Sequence, residues 1–497
     1  MENQLENINY FILLFATLLI LGVLTTKFST RLGVPSLVLF IGIGMVMGSD
    51  GLGIIDFKNA NLAQTVGIFA LIIIIFEGGL QTDWSTVKPV VRPSFSLATL
   101  GVLLTTSIVG IASKLIFDVS WYEAFLFGCI IGSTDAAAVF SVLKGHNLRS
   151  KLSATLEVES GTNDPMAMFL TITFIQLIIA ETTSSFLMLG IFFWQIGIGI
   201  LAGLVFGKAA SYAINQVNLD SSGLYPVFTL AFAILTYSAT SMINASGLLA
   251  VYISALFIGN CDLTYRRSIF RFNEGFAWMM QILMFAILGL LVFPSELFQL
   301  SIMLKGVFLA CILMFVARPV AVFLTTMFFK YEIREKIFLS WAGLRGAVPI
   351  VLATFPMIAD LEHSQLFFNV VFFVVLTSAL IQGASIPFII RKLGLEGREP
   401  ISTPHSLELV SIGKANAEII EFYVTNESEL TGNNLKEINF PDNAVVNAII
   451  REDELIPPQG CSKIKAGDIL YILTSKHNKE DLKRFLRRRK IYKPEQI

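Results

Sequence analysis

Apolar runs of about 17–25 residues recur along the first four-fifths of this chain, and each is long enough to cross a bilayer as a helix. The first runs from Tyr10 to Thr26. The others read as 34–49, 62–80, 94–117, 121–143, 152–179, 187–207, 223–243, 246–260, 272–293, 301–329, 337–358 and 365–390, which makes thirteen spans. Composition agrees: 54% of the 497 residues are hydrophobic and 15% charged, against about 25% charged in an average soluble domain. A soluble enzyme, a secreted disulfide scaffold and a nucleic-acid binder are all disfavoured, and a net charge of −1 gives no hold on a polyanion. Cys129, Cys261 and Cys311 lie in apolar segments and Cys461 stands alone, so neither a disulfide framework nor a zinc site is suggested. The start carries Glu2 and Glu6 rather than basic residues, so the first run reads as a retained span and not as a signal peptide.

The loops test this count. Lys27, Arg31, Lys88, Arg92, Lys144, Arg149, Lys151, Lys208, Arg266, Arg267, Arg271, Lys330, Arg334, Lys336, Arg391, Lys392 and Arg398 all fall in alternate loops. The opposite side has Lys58, with Lys114 and Lys305 near span ends. Such asymmetry places the basic side in the cytoplasm. Thirteen spans then put the N-terminus outside and the C-terminus inside.

After Gly394 the composition changes. Residues 1–394 form the membrane domain, 395–405 a linker, 406–490 a small α+β module and 491–497 a tail. Strand-like runs Ile419–Val424, Ala444–Arg451 and Asp468–Thr474 are separated by turn signals, and Lys479 to Lys490 reads as a closing helix. A core this small makes dimerisation a reasonable expectation. Arg487 to Lys490 reads as a solvated face. Gly199, Gly203 and Gly207, and likewise Gly42, Gly44 and Gly48, read as lines of close helix contact.

Charges inside the spans need an explanation, because even on a lenient scale an Asp at a helix centre costs about 2.5–3.5 kcal/mol. Glu77, Asp135, Glu157, Glu159, Asp164, Arg318 and Arg345 sit inside spans or near their ends. Gly132-Ser133-Thr134-Asp135 weakens the fifth span as a continuous helix, and Gly343-Leu344-Arg345-Gly346 followed by Pro349 interrupts the twelfth. Interrupted spans at matching positions in two halves point to a transport site, with spans 1–6 and 8–13 as inverted repeats around the seventh. On a helical sixth span Ser160 and Asp164 share a face, and Glu159 and Asn163 form a second pair on an adjoining one. One carboxylate, a hydroxyl and the carbonyls of a broken neighbour make a hard oxygen site suited to Na+ or K+ rather than Ca2+. Glu157 lies near the cytoplasmic mouth with no role assigned, and Arg318, before Pro319, reads as structural.

At these residues the chain resembles the NhaP-type monovalent cation:proton antiporters, and most closely their bacterial potassium/proton members. Phe76-Glu77-Gly78-Gly79-Leu80, Gly132 to Phe140, Leu156 to Ala167 and Gly343 to Pro349 carry the resemblance, which covers all thirteen spans. Glu429 to Leu435 and Lys465 to Leu470 are similar to the TrkA-C (RCK-C) module of potassium transport proteins. The resemblance implies an all-α, NhaA-like membrane domain with two broken, crossing helices, followed by a cytoplasmic RCK-C domain. It implies that Asp164 binds the cation or the proton, with Ser160 and Thr134 as oxygen ligands and Asp135 at the crossing. Glu159 is implied to pair with Arg345, and Glu77 to lie in or near the cation path. Asn163 is implied to belong to the binding group and to mark the electroneutral branch.

The activity implied is exchange of cytoplasmic K+ for external H+ across a bacterial plasma membrane by a homodimer, with Na+ extrusion as the alternative. A channel is the rival class, because similar tails gate potassium channels, yet Thr65-Val66-Gly67 lacks the second glycine of a selectivity filter. No enzyme activity and no resident cofactor are expected: His146, His363, His405 and His477 form no nucleophilic constellation. The tail's ligand stays open between a nucleotide, including a cyclic dinucleotide, and none.

Overall fold

A computed structural model describes residues 13, 15–28, 35–55, 57, 59–143, 148–180, 185–297, 299–397, 417–424, 428–451, 454–475 and 478–486. Glu2, Glu6, Arg31, Lys58, Lys144, His146, Arg398, His405, His477, the run Arg487 to Lys490 and the 491–497 tail lie outside the described residues. The chain divides into two compact units, Met1–Arg398 and Glu399–Ile497.

Each of the thirteen predicted spans falls on a helix or a broken helix. Among the described residues, eight helices are long and apolar enough to cross a membrane, and Trp121–Ile131 with Ala136–Val142 makes a ninth bent by 45°. Phe15–Phe28, Ser36–Met47, Gly247–Gly259 and Ala347–Ile358 are shorter apolar helices at the remaining predicted positions. The twelfth span is interrupted too: Ile333–Trp341 ends, 342–346 run without helix, and Ala347–Leu352 resumes. Both interruptions fall where glycines and a charge displace good helix formers.

The two breaks meet. The backbone N–H of Asp135 donates to the Leu344 carbonyl at 2.8 Å, joining one interrupted segment to the other. A Cβ on Gly346 would run into the Asp135 carboxylate, so the crossing is as tight as it is only because that position is glycine. The glycine line of the seventh span also explains itself: at Gly203 and Gly207 a Cβ would press on Ala250, Ile253 and Ser254 of the ninth span. Gly44 and Gly289 similarly bring the second and tenth spans together, whereas Gly42 faces open space.

Beyond the last span, Gly394 adopts a left-handed conformation (φ +65°) that turns the chain back. Leu395 is fully buried, the Arg149 N–H donates to its carbonyl at 3.3 Å, and Glu396 bridges to Leu148. The first residues of the predicted linker therefore pack on the membrane unit.

The second unit is a four-stranded antiparallel sheet of β1 (Ala417–Tyr423), β2 (Val445–Arg451), β3 (Glu454–Ile456) and β4 (Ile469–Ser475), in the order β1-β4-β2-β3. The helix Lys479–Leu486 buries Leu482 and Leu486 against Ile449, Leu470 and Ile472. Gly432 and Gly467 sit at φ +93° and +94° in the two predicted glycine turns, a region that costs other residues strain. The short β3 was not foreseen, because its strand is three residues long, begins at Glu454 and follows the charged stretch Arg451-Glu452-Asp453.

Candidate cation and proton site

The sixth span is one unbroken helix, Ser150–Ala180, although it contains Pro165. A proline has no N–H, so the Gly161 carbonyl one turn earlier loses its helical donor. That carbonyl lies beside the residues expected to bind an ion. Glu157, Ser160, Gly161 and Asp164 recur at three- and four-residue intervals, the spacing of one helix face. All four line a cavity of about 370 Å³, together with Glu77, Thr134 and Asp135.

Asp164 is 5% exposed, and its Oδ1 has no hydrogen-bond partner. Ser160 is fixed at both ends: its hydroxyl donates to the Thr134 carbonyl at 3.0 Å and accepts from the Ala136 N–H at 3.1 Å. It thereby satisfies one of the orphan donors at the start of the second half-helix, while the Asp135 carboxylate accepts from the Ala138 N–H at 3.1 Å. Asn163 does not line the cavity. Its side-chain amide donates to the Thr134 hydroxyl at 2.6 Å, so it holds that oxygen in place from behind. Glu77 lines the cavity wall and accepts a hydrogen bond from Gln81.

The expected pairing of Glu159 with Arg345 is corrected by the structure. Glu159, 1% exposed, is held by Arg318 in a two-pronged ion pair, with Nη1 to Oε1 at 2.5 Å and Nη2 to Oε2 at 2.9 Å. Arg345 instead donates from Nη1 to the carbonyls of Gly132 and Ser133. The reason is local: those carbonyls are left over where the first half-helix of the fifth span stops, and a helix C-terminus attracts a cation. Two buried carboxylates can thus be told apart. Glu159 is neutralised by its own guanidinium, whereas Asp164 faces the cavity with an oxygen to spare.

Sequence reasoning gave Arg318 only a structural label and missed Tyr252 altogether. Tyr252 lines the cavity from the ninth span, and its ring lies where a Cβ of Gly161 would be. A tyrosine in an otherwise apolar span was the available signal.

Chemically, the arrangement offers one unpaired carboxylate oxygen on Asp164, in a cavity also lined by Ser160, Thr134 and the Asp135 carboxylate. It can take a proton or a monovalent cation.

A family model described as sodium/hydrogen exchanger, transmembrane, matches residues 15–392, and the TrkA-C domain model matches residues 419–487. The chain is 41% identical over 482 residues to the K(+)/H(+) antiporter NhaP2 of Shewanella sp. strain ANA-3, covering 96% of this chain and 83% of the relative. It is 36% identical over 472 residues to the K(+)/H(+) antiporter NhaP of Alkalimonas amylolytica, covering 94% and 82%. The solved structure of the sodium proton antiporter MjNhaP1 from Methanocaldococcus jannaschii at pH 8 superposes with a TM-score of 0.68 at 24% identity. It covers 77% of this chain and 98% of that one, a likeness of fold.

Proposed function

The chain belongs to the sodium/hydrogen exchanger family, and from that premise we propose that it exchanges K+ for H+ one for one at Asp164. The observation that carries the reading is the Asp164 carboxylate: buried, unpaired at Oδ1 and on a residue that lines the cavity, while Glu159, the other buried carboxylate of that helix, is compensated by Arg318. A bare carboxylate in so dry a place is costly, so the site is held either protonated or with a cation. Only those neutral forms cross between the two membrane faces cheaply, because moving an uncompensated charge through a low dielectric carries a large Born penalty. Exchange then follows without ATP, and one carboxylate makes it electroneutral. Ser160 and the Thr134 hydroxyl supply neutral ligands, and Asn163 positions the second of these. Asp135 and Arg345 hold the two broken helices together at the crossing.

Potassium is the favoured cation because relatives 41% and 36% identical to the chain are named for it. The protein is a multi-pass membrane protein, and the basic loops support a bacterial plasma membrane with the N-terminus outside and the TrkA-C unit in the cytoplasm. We take that unit to regulate exchange, to pair with a second copy and to bind a nucleotide-sized ligand; no resident cofactor is required by the mechanism.

The test is a pH-dequenching assay in proteoliposomes with K+, Na+ and Rb+. The wild type should dissipate a pH gradient on addition of K+, and Asp164→Asn should not, while still being recovered folded from the membrane. Retained exchange in Asp164→Asn would overturn the assignment.

A further inference from the structure

The mechanism above leaves the Glu157 carboxylate unused. Glu157 lies two helical turns before Asp164 on the same face of the sixth span, about 10 Å away along the axis, and lines the same cavity. It has no ion-pair partner among the described residues. Its one hydrogen bond is a long one, 3.4 Å from the Ser153 hydroxyl. Around it the cavity wall is polar. Thr82 is buried there and donates its hydroxyl hydrogen to the Gly78 carbonyl, which leaves its oxygen lone pairs free. The Tyr252 hydroxyl, on a residue only 4% exposed, makes no hydrogen bond of good geometry, and its polar neighbours are Thr82 and Glu157. A buried hydroxyl left without a good hydrogen bond beside a carboxylate costs stability unless something occupies the space between them.

The position gives the group a purpose. Gln81 and Glu274, both exposed, line the same cavity. Gln81 ends the helix Ala60–Gln81, shortly before Lys88 and Arg92, and Glu274 lies in the third turn of Arg266–Leu290, after Arg266 and Arg267. Glu157 lies nearer than Asp164 to the end of the sixth span that carries Arg149 and Lys151.

Resting on the antiporter reading, we propose that Glu157, with the hydroxyl oxygens of Tyr252 and Thr82, forms an outer cation site through which the transported alkali ion is passed to Asp164. The outer site concentrates cations at the mouth. It also supplies a second negative charge, so the ion is never far from a carboxylate on its way in. Its oxygens are one charged and two neutral, a donor set for K+ or Na+ and too weakly charged to retain a divalent ion.

The experiment measures K+-dependent dequenching with full-length protein in proteoliposomes as a function of K+ concentration. One carboxylate acting on a cation about 10 Å away through an effective dielectric of about 20 predicts that Glu157→Gln raises the apparent KM for K+ by about tenfold. The rate at saturating K+ should change by no more than about twofold. Glu157→Asp, which keeps the charge, should restore most of the affinity. Tyr252→Phe, which removes only the hydroxyl, should raise KM by about threefold. Wild-type KM in both Glu157→Gln and Tyr252→Phe would overturn the proposal. So would a Glu157→Gln protein with a reduced saturated rate and unchanged KM, which is what a structural role produces. If Glu157→Gln is not recovered, Glu157→Asp and Tyr252→Phe decide the matter on the same scale. Asp164→Asn is the control: exchange in that variant would sink the assignment of Asp164, whatever Glu157 does.

Discussion

The pair formed by Glu159 and Arg318 makes a sharp energetic prediction, because two arginines compete on paper for the same carboxylate. Both members of the observed pair are buried, with 4% and 1% of their side chains exposed. Removing one partner leaves an uncompensated charge in a dry interior, which costs about 3–5 kcal/mol. Arg318→Met and Glu159→Gln should each destabilise by an amount in that range, with the neutral Gln at its lower end. Removing both partners together should cost far less than the sum, because a buried pair replaced by apolar groups of similar volume is often close to neutral. The coupling energy of the Glu159/Arg318 double-mutant cycle should therefore exceed about 2 kcal/mol.

Arg345→Met should also destabilise, by about 1.5–3 kcal/mol for each charged hydrogen bond lost at the Gly132 and Ser133 carbonyls. Its cycle with Glu159→Gln should nevertheless give weak coupling, under about 1 kcal/mol. The assay is thermal unfolding of the detergent-purified variants, read as the fraction remaining monodisperse after heating. Stronger coupling of Glu159 to Arg345 than to Arg318 would refute the reasoning.

Two further outcomes follow from the same geometry. Gly346→Ala places a methyl group on the Asp135 carboxylate and should reduce both yield and exchange, whereas Gly42→Ala, which meets open space, should do neither; expression level and dequenching rate read this directly. In the TrkA-C unit, Asp468 is fully buried and accepts from Arg451 Nε at 2.7 Å and from the Lys465 N–H at 2.7 Å. Asp468→Ala should lower that unit's stability by about 3 kcal/mol, seen as faster proteolysis within residues 428–475.

Much of this molecule can be read from its residues, and the limits of that reading are physical. Thirteen spans, two interrupted helices and three of the four strands are visible because each leaves a periodic or compositional trace within one segment. The candidate site was legible for a different reason: a carboxylate in an apolar run is expensive, so Asp164 and Asp135 announce themselves. Partners across space do not. Glu159 and Arg318 lie 159 residues apart, and charge alone could not choose between Arg318 and Arg345. The choice is made by the leftover carbonyls at the end of a half-helix, which exist only once the fifth span has broken. Asn163 is placed in the binding group by the family resemblance alone. Helical rotation turns it by about 100°, behind Thr134 rather than into the cavity. Tyr252 left only a faint trace, since one hydroxyl in a span is ordinary until it is found without a good hydrogen bond.

The account rests on a single carboxylate that a proton and an alkali ion occupy in turn. Measuring the apparent KM for K+ against pH in proteoliposomes tests this most directly. If both ligands contend for Asp164, then over the acidic range, where the protonated form predominates, each unit fall in pH should raise KM about tenfold. The rate at saturating K+ should hold steady through the same range. A KM that stays flat while the saturated rate falls would mean that proton and cation bind at separate places, and would contradict the mechanism.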